Sequence, residues 1–159
     1  CRDADHPDAD AAVRLNMAAA IMHLGDVSRL DFTELDQGDA GQTGPQHLDP
    51  GHLTHGIGDV VLARRDIGTS YHIAVVVDDA AQGITRVTRG RDLYPATPLH
   101  RLLQALLDLP TPLYRHHRLI RDAAGKRLAK RDDARGISTL RSEGWTRADV
   151  LRAIGFSDS

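Results

Sequence analysis

The chain of 159 residues has one cysteine, two lysines, two glutamates and only 4% aromatic residues. A single cysteine cannot form an internal disulfide, so the sequence excludes a disulfide-stapled fold and indicates a reducing compartment, which we take to be the cytoplasm. Because no run of about 18 apolar residues is present, no membrane-spanning segment is expected. The formal net charge of −2 excludes a global attraction for polyanions, so contact with nucleic acid would need a local basic face.

The rarity of lysine makes its two positions informative. The chain contains 18 arginines and 20 aspartates, a bias typical of GC-rich coding, yet both lysines lie in the short stretch Gly125–Arg131, as Lys126 and Lys130. Lysine differs from arginine in being a compact, mobile point charge. A basic loop after a glycine can neutralise the negative charge of a polyphosphate leaving group. A solvated basic turn is the simpler alternative.

The pattern of strands and helices predicts an α/β fold in a chain of one domain's length. The strongest predicted strand covers Tyr71–Val77, which is apolar on both faces and is followed by a turn over residues 78–83. Further strands are predicted over residues 11–17, 30–32, 58–64, 84–88 and 113–120. Thr97-Pro98 begins an amphipathic helix that extends to Leu107, and Thr146 caps a short helix near the end of the chain.

Tyr71 and Arg89 are candidate binding residues, because a hairpin of their two predicted strands would bring them to one side of a pocket. An arginine fork is a natural clamp for a carboxylate, and a tyrosine hydroxyl can add a hydrogen bond. A core tyrosine and a surface arginine remain the alternative explanation. The histidines lack the paired spacing of a zinc site, and we predict no metal site made of His47, His52, His55, His116 and His117.

Several ordered segments together resemble the second half of the catalytic domain of class I enzymes of the glutamyl-tRNA synthetase type. These segments are Tyr71–Asp79, Gly83–Thr85, Arg89–Leu93 and Gly125–Arg131. The similarity is greatest to the short paralogues, the glutamyl-queuosine tRNA(Asp) synthetases, and implies a Rossmann-like fold with a short C-terminal helical segment. Residues 1–57 would form an insertion or connective segment, 58–125 the second half of the nucleotide-binding domain, and 126–159 the loop and helical tail.

The resemblance implies an ATP-dependent ligase. It would activate L-glutamate without tRNA, with ATP and Mg²⁺, and would transfer glutamate to the queuosine base in the anticodon of tRNA(Asp). We expect a monomer. The alternatives are a truncated glutamyl-tRNA synthetase charging tRNA(Glu), or a non-catalytic nucleotide- or RNA-binding module. The tail after Arg131 is shorter than the roughly 100 residues of an ordinary anticodon-binding domain, and if Ser159 is the native end, this favours the short paralogue.

The resemblance also implies roles for individual residues. Tyr71 and Arg89 match the family's glutamate-binding residues, and Cys1 matches the last ligand of a Zn²⁺ site whose other ligands would precede it. The family's Lys-Met-Ser-Lys-Ser loop, which binds ATP, corresponds to Arg127, Leu128, Ala129, Lys130 and Arg131. Lys130 would hold the phosphates as the catalytic cation, whereas Arg127 and Ala129 depart from the pattern.

The first half of the family's catalytic domain has no counterpart in this sequence, so we expect the 159 residues alone to be inactive. The segment His55-Gly56-Ile57-Gly58 superficially resembles the family's His-Ile-Gly-His signature, which binds ATP. That signature opens a helix, whereas this segment leads into a predicted strand. We therefore do not assign it that role.

Overall fold

The computed structural model describes residues 12–35, 43–64, 66, 68–122, 125 and 136–156. The chain divides into two compact units, residues 1–118 and 119–159. The strands of the first unit are β1 (Val13–Leu15), β2 (Asp31–Glu34), β3 (Gly44–His47), β4 (Val60–Arg64), β5 (Gly68–Thr69), β6 (Arg86–Gly90) and β7 (Leu113–His117). Its helices are α1 (Met17–Leu24), α2 (Tyr71–Ala81) and α3 (Thr97–Leu106), and the second unit holds α4 (Ile137–Ser142) and α5 (Arg147–Ala153).

The larger sheet has the strand order β3-β2-β7-β6. Strands β2 and β6 both run parallel to β7, whereas β3 is antiparallel to β2. Parallel neighbours need a crossover connection, and α3 supplies it between β6 and β7. The carboxyl ends of three adjacent parallel strands therefore lie at one edge of the sheet, the edge at which open α/β sheets bind their ligands.

The smaller sheet pairs β1 and β5 with β4 in antiparallel fashion. The strand predicted over residues 58–64 is confirmed as β4, but the strand predicted over residues 11–17 covers only Val13–Leu15. It ends there because the side chain of Asn16 accepts a hydrogen bond from the backbone N–H of Ala19 and caps α1. That helix, Met17–Leu24, was not predicted from the sequence.

The prediction of a strand over Tyr71–Val77 is wrong, because these residues form the first two turns of α2. An apolar run without strict alternation fits a buried helix as well as a buried strand. In the helix Val76 is buried, and Ile73, three residues earlier, packs against the same core. The cost of β-branched residues in a helix is below about 0.7 kcal/mol each, so packing of α2 against α3 outweighs it.

Helix α3 is confirmed almost to the residue and supplies much of the core. Its Leu99, Leu102 and Leu103 are buried among the apolar side chains of the first unit. Three polar residues of the same helix are buried as well, namely Thr97, His100 and Gln104. Because buried polar groups need partners, this second face of α3 points to a polar site beside it.

The second unit contains the two short helices of the tail. As predicted, Thr146 caps the last helix: its hydroxyl accepts from the backbone N–H of Asp149, and the Asp149 carboxylate accepts from the backbone N–H of Thr146. Apolar residues of both helices, including Leu140, Val150 and Leu151, line a depression around Trp145. None of the described helices is long and apolar enough to cross a membrane.

Candidate functional site

A half-buried arginine lies at the carboxyl ends of the parallel strands. Arg89, the fourth residue of β6, donates from Nε to His116 Nε2 over 2.9 Å and from Nη2 to Thr97 Oγ1 over 2.9 Å. Its Nη1 lies 3.0 Å from His100 Nδ1. The guanidinium carbon also lies 5.3 Å from the centre of the Tyr114 ring. The fork is thus held on three sides by side chains from α3 and β7.

All three hydrogen-bond partners of this guanidinium are uncharged acceptors. No carboxylate lies within ion-pair distance of Arg89 in the part of the chain that the structure describes. Three of its five N–H groups are used, so one donor on each terminal nitrogen remains. Because a cation withdrawn from water is costly without an opposite charge, the arrangement suits an anionic ligand, and two parallel donors suit a carboxylate.

On the side of its ring away from Arg89, His116 is hydrogen-bonded to a carboxylate. Glu34, at the end of β2, accepts from the backbone N–H of His116 over 2.9 Å with Oε1, and its Oε2 lies 2.5 Å from His116 Nδ1. The two side chains are only 1% and 3% exposed. Arginine can only donate, so His116 Nε2 must accept and the ring proton must sit on Nδ1, facing Glu34.

A second chain of hydrogen bonds, through two histidines, begins at Nη1 of Arg89. Because Nη1 donates to His100 Nδ1, the proton of the neutral His100 ring is on Nε2, which donates to His72 Nδ1 over 3.0 Å. Burial, followed by the positive charge of Arg89, lowers the pKa of His100 to about 3. Burial and Arg89 likewise lower the pKa of His72. Both rings therefore stay neutral at physiological pH.

Three further pKa shifts complete the electrostatics of the site. Burial lowers the pKa of His116 against the opposing effect of its bond to Glu34, so this ring also stays neutral. Burial raises the pKa of Asp79, and the positive charge of Arg89 works against that rise. Burial also raises the pKa of Tyr114, whose hydroxyl accepts a bond from Gln104. The guanidinium of Arg89 thus brings a permanent positive charge into this network.

Tyr71 lies beside the Arg89 network, but on a helix and not on the strand that the sequence predicted. The proposed hairpin is wrong, because β6 pairs with β7 and Tyr71 is the first residue of α2. Tyr71 is 49% exposed, and the centre of its ring lies 5.7 Å from the centre of the His100 ring, with the two planes inclined at 63°. The structure therefore brings Tyr71 and Arg89 against one imidazole, with Tyr71 accessible to solvent.

Sequence reasoning missed Glu34, His72, Thr97 and His100, and it considered His116 only as a metal ligand. The signal that could have found two of them is the spacing of Thr97 and His100, one turn apart on a helix that also carries an apolar face. No group of three or more potential metal ligands occurs among residues 12–35, 43–64, 68–122 and 136–156. Cys1 and Arg127–Arg131 lie outside the described residues, so their predicted roles stay predictions.

An open sheet with three parallel strands and a half-buried arginine at their carboxyl ends is typical of a ligand-binding α/β domain. Over residues 50–157 the chain matches the family described as tRNA synthetases class I (E and Q), catalytic domain. The chain belongs to this family, and its predicted Rossmann-like α/β class is thereby confirmed. Class I synthetases use ATP with Mg²⁺.

Two curated relatives carry the same name. The chain is 50% identical over 165 residues to the glutamyl-Q tRNA(Asp) synthetase of Rhodobacter capsulatus, covering 98% of this chain and 54% of that protein. The enzyme of that name from Nocardia farcinica is 40% identical, over 97% of this chain and 45% of the relative. The chain thus spans about half the length of the curated relatives it matches. A solved glutamate tRNA ligase from Elizabethkingia meningosepticum is 28% identical with a TM-score of 0.46, over 77% of this chain and 19% of that one.

Proposed function

We propose that the protein carrying this chain activates L-glutamate with ATP and transfers the glutamyl group to the queuosine base in the anticodon of tRNA(Asp). The observation that carries the proposal is Arg89, a half-buried cation whose direct partners are all neutral and whose two remaining N–H groups suit a carboxylate. Family membership and the names of the relatives agree with glutamate as the ligand.

The chemistry indicates which carboxylate Arg89 binds. In the activation step the α-carboxylate attacks the α-phosphate of ATP, and pyrophosphate leaves. A hydroxyl of the queuosine base then attacks the mixed anhydride, the ester forms and AMP leaves. The α-carboxylate loses its charge in the adenylate, whereas the side-chain carboxylate stays ionised throughout. A permanent cation is best used on the group that stays charged, so Arg89 would hold the side chain and reject glutamine.

Other parts of the proposal rest on the family resemblance. The loop Arg127–Arg131 would hold the phosphates of ATP, with Lys130 neutralising the charge that develops as pyrophosphate departs, and Tyr71 would line the glutamate pocket. Cys1 would complete a Zn²⁺ site with ligands from outside this sequence. The division at residues 57 and 125, the monomeric state and the cytoplasmic location belong to the same proposal.

The test uses the complete protein and two reactions. Glutamate-dependent exchange of pyrophosphate into ATP is measured without tRNA, and transfer of labelled glutamate is then measured to tRNA(Asp) with queuosine, to tRNA(Asp) without it, and to tRNA(Glu). We expect exchange without tRNA, and labelling only of the tRNA(Asp) that carries queuosine. Labelling of tRNA(Glu) would favour a glutamyl-tRNA synthetase instead, and the absence of both reactions would favour a non-catalytic binding module.

A further inference from the structure

We propose that Glu34 and His116 form a positioning pair that fixes the guanidinium of Arg89 in the orientation in which it receives the side-chain carboxylate of the amino acid. The proposal rests on the proposed function and names residues that act on Arg89 and do not touch the substrate. Its physical basis is a chain of hydrogen bonds that runs from the backbone of the sheet to the guanidinium.

The sheet places the three side chains in one row. Arg89 on β6 is directly opposite His116 on the parallel strand β7. On the other side of β7, Glu34 ends β2 and is opposite Tyr114, two residues before His116. Because residues two apart on a strand share a face, His116 and Tyr114 both point into the buried side of the sheet. Three adjacent strands thus contribute one member each.

The hydrogen-bond pattern has one consistent arrangement. His116 Nε2 accepts from Arg89 Nε, and His116 Nδ1–H donates to Glu34 Oε2. The other oxygen of Glu34 accepts from the backbone N–H of His116, which prevents the carboxylate from turning. The imidazole is also enclosed by two rings. The plane of the Tyr114 ring is inclined at 8° to it, and the Tyr94 ring lies nearly perpendicular to it, with 5.1 Å between the two ring centres.

Interposing a neutral ring serves a purpose that a direct ion pair would not. A carboxylate bonded directly to Arg89 would orient it but would also neutralise it and compete with the carboxylate of the ligand. With His116 between the two residues, Glu34 determines the direction of the Arg89 guanidinium. The guanidinium keeps its positive charge, and its two remaining N–H groups stay available to the ligand. Orientation matters here because bidentate recognition of a carboxylate depends on the plane of the fork.

The first test is Glu34→Gln in the complete protein. An amide has one oxygen and one NH₂ group, so it can accept only one of the two N–H groups that Glu34 accepts now. Either the backbone bond is lost, or the ring turns its proton to Nε2 and no longer accepts from Arg89. We expect the KM for glutamate in pyrophosphate exchange to rise about tenfold, with the KM for ATP changed less than about twofold.

A matched pair of variants separates positioning from packing. In His116→Gln the side-chain amide oxygen can take the place of Nε2 and accept from Arg89, whereas in His116→Asn the shorter amide reaches only the Nδ1 position. We expect His116→Gln to keep a lower KM for glutamate than His116→Asn, at similar melting temperatures. His117→Gln is the control, since His117 is the next residue of β7, is exposed and lies on the opposite face.

The protonation of the wild-type ring gives an independent readout. The ¹⁵N chemical shifts of His116 should show the proton on Nδ1, and the Nε2–H form would overturn the proposal whatever the variants do. The proposal is also overturned if Arg89→Ala raises the KM for glutamate while Glu34→Gln and His116→Asn leave it unchanged, or if those two variants only lower the melting temperature. If Arg89→Ala leaves the KM unchanged, the glutamate site itself is misplaced, and the proposed function fails with it.

Discussion

Acid should destabilise the protein through His100. Burial against Arg89 lowers the pKa of this histidine from 6.5 to about 3 in the folded state. Below pH 6.5 the unfolded chain therefore binds a proton at His100 that the folded chain does not bind. The contribution of the neutral ring to the free energy of unfolding is fully present above pH 6.5 and is lost as the pH falls toward 3. At pH 5, 1.5 units below the unfolded pKa, the loss from this ring alone is about 2 kcal/mol. The pKa values of His72 and His116 are also lowered and add to the loss in the same direction.

Urea unfolding at pH 7.5 and pH 5.0 measures this effect. His100→Gln removes the titrating group, so the free energy of unfolding of the wild type should fall between the two pH values by about 2 kcal/mol more than that of the variant. His117→Gln, which removes an exposed histidine, should keep the wild-type pH dependence. Equal pH dependence in the wild type and His100→Gln would refute the reasoning, because it would mean that His100 is protonated in the folded state or accessible to water.

Three further predictions concern the loop, the core and the tail. Lys130→Ala should lower the rate constant of adenylate formation about 10²–10³-fold in single-turnover experiments, because it removes a charge that stabilises departing pyrophosphate, whereas Lys126→Ala should have little effect; the reverse order would mean that the loop is misaligned. Leu102→Ala should cost about 2–5 kcal/mol in urea unfolding, since Leu102 is fully buried, and a cost below about 1 kcal/mol would contradict its place in the core. Thr146→Ala should destabilise the tail by about 1 kcal/mol, seen as faster amide exchange in α5, because the capping box is lost.

The sequence predicted elements whose signals are local and failed where tertiary contacts decide. Helix α3 follows from its four leucines and from Thr97-Pro98, so its bounds were found to within one residue. Helix α2 begins at Tyr71, and the side chain of the preceding residue, Ser70, makes no capping bond. Because the valines of α2 favour a strand, only its packing identifies it as a helix. Asn16 caps α1 with a side-chain bond, a signal that was present and overlooked.

The candidate site was predicted in part for a similar reason. Tyr71 and Arg89 were identified from an expected strand hairpin and from the family resemblance, but the supposed hairpin was wrong. Their actual neighbours come from distant parts of the chain: Glu34 lies 82 residues from His116, and Arg89 lies 27 residues from it. No periodicity records such contacts, because they arise only when the parallel strands take their order in the sheet.

We propose that neutral partners hold Arg89 so that its charge is available to the side-chain carboxylate of glutamate. The most direct test is the equilibrium affinity of the complete protein for L-glutamate, measured by calorimetry for the wild type, Arg89→Ala and His117→Gln. Losing this charged contact should cost about 2–4 kcal/mol, so Arg89→Ala should bind glutamate roughly 30- to 1000-fold more weakly, with an unchanged affinity for ATP. Wild-type affinity for glutamate in Arg89→Ala would contradict the claim.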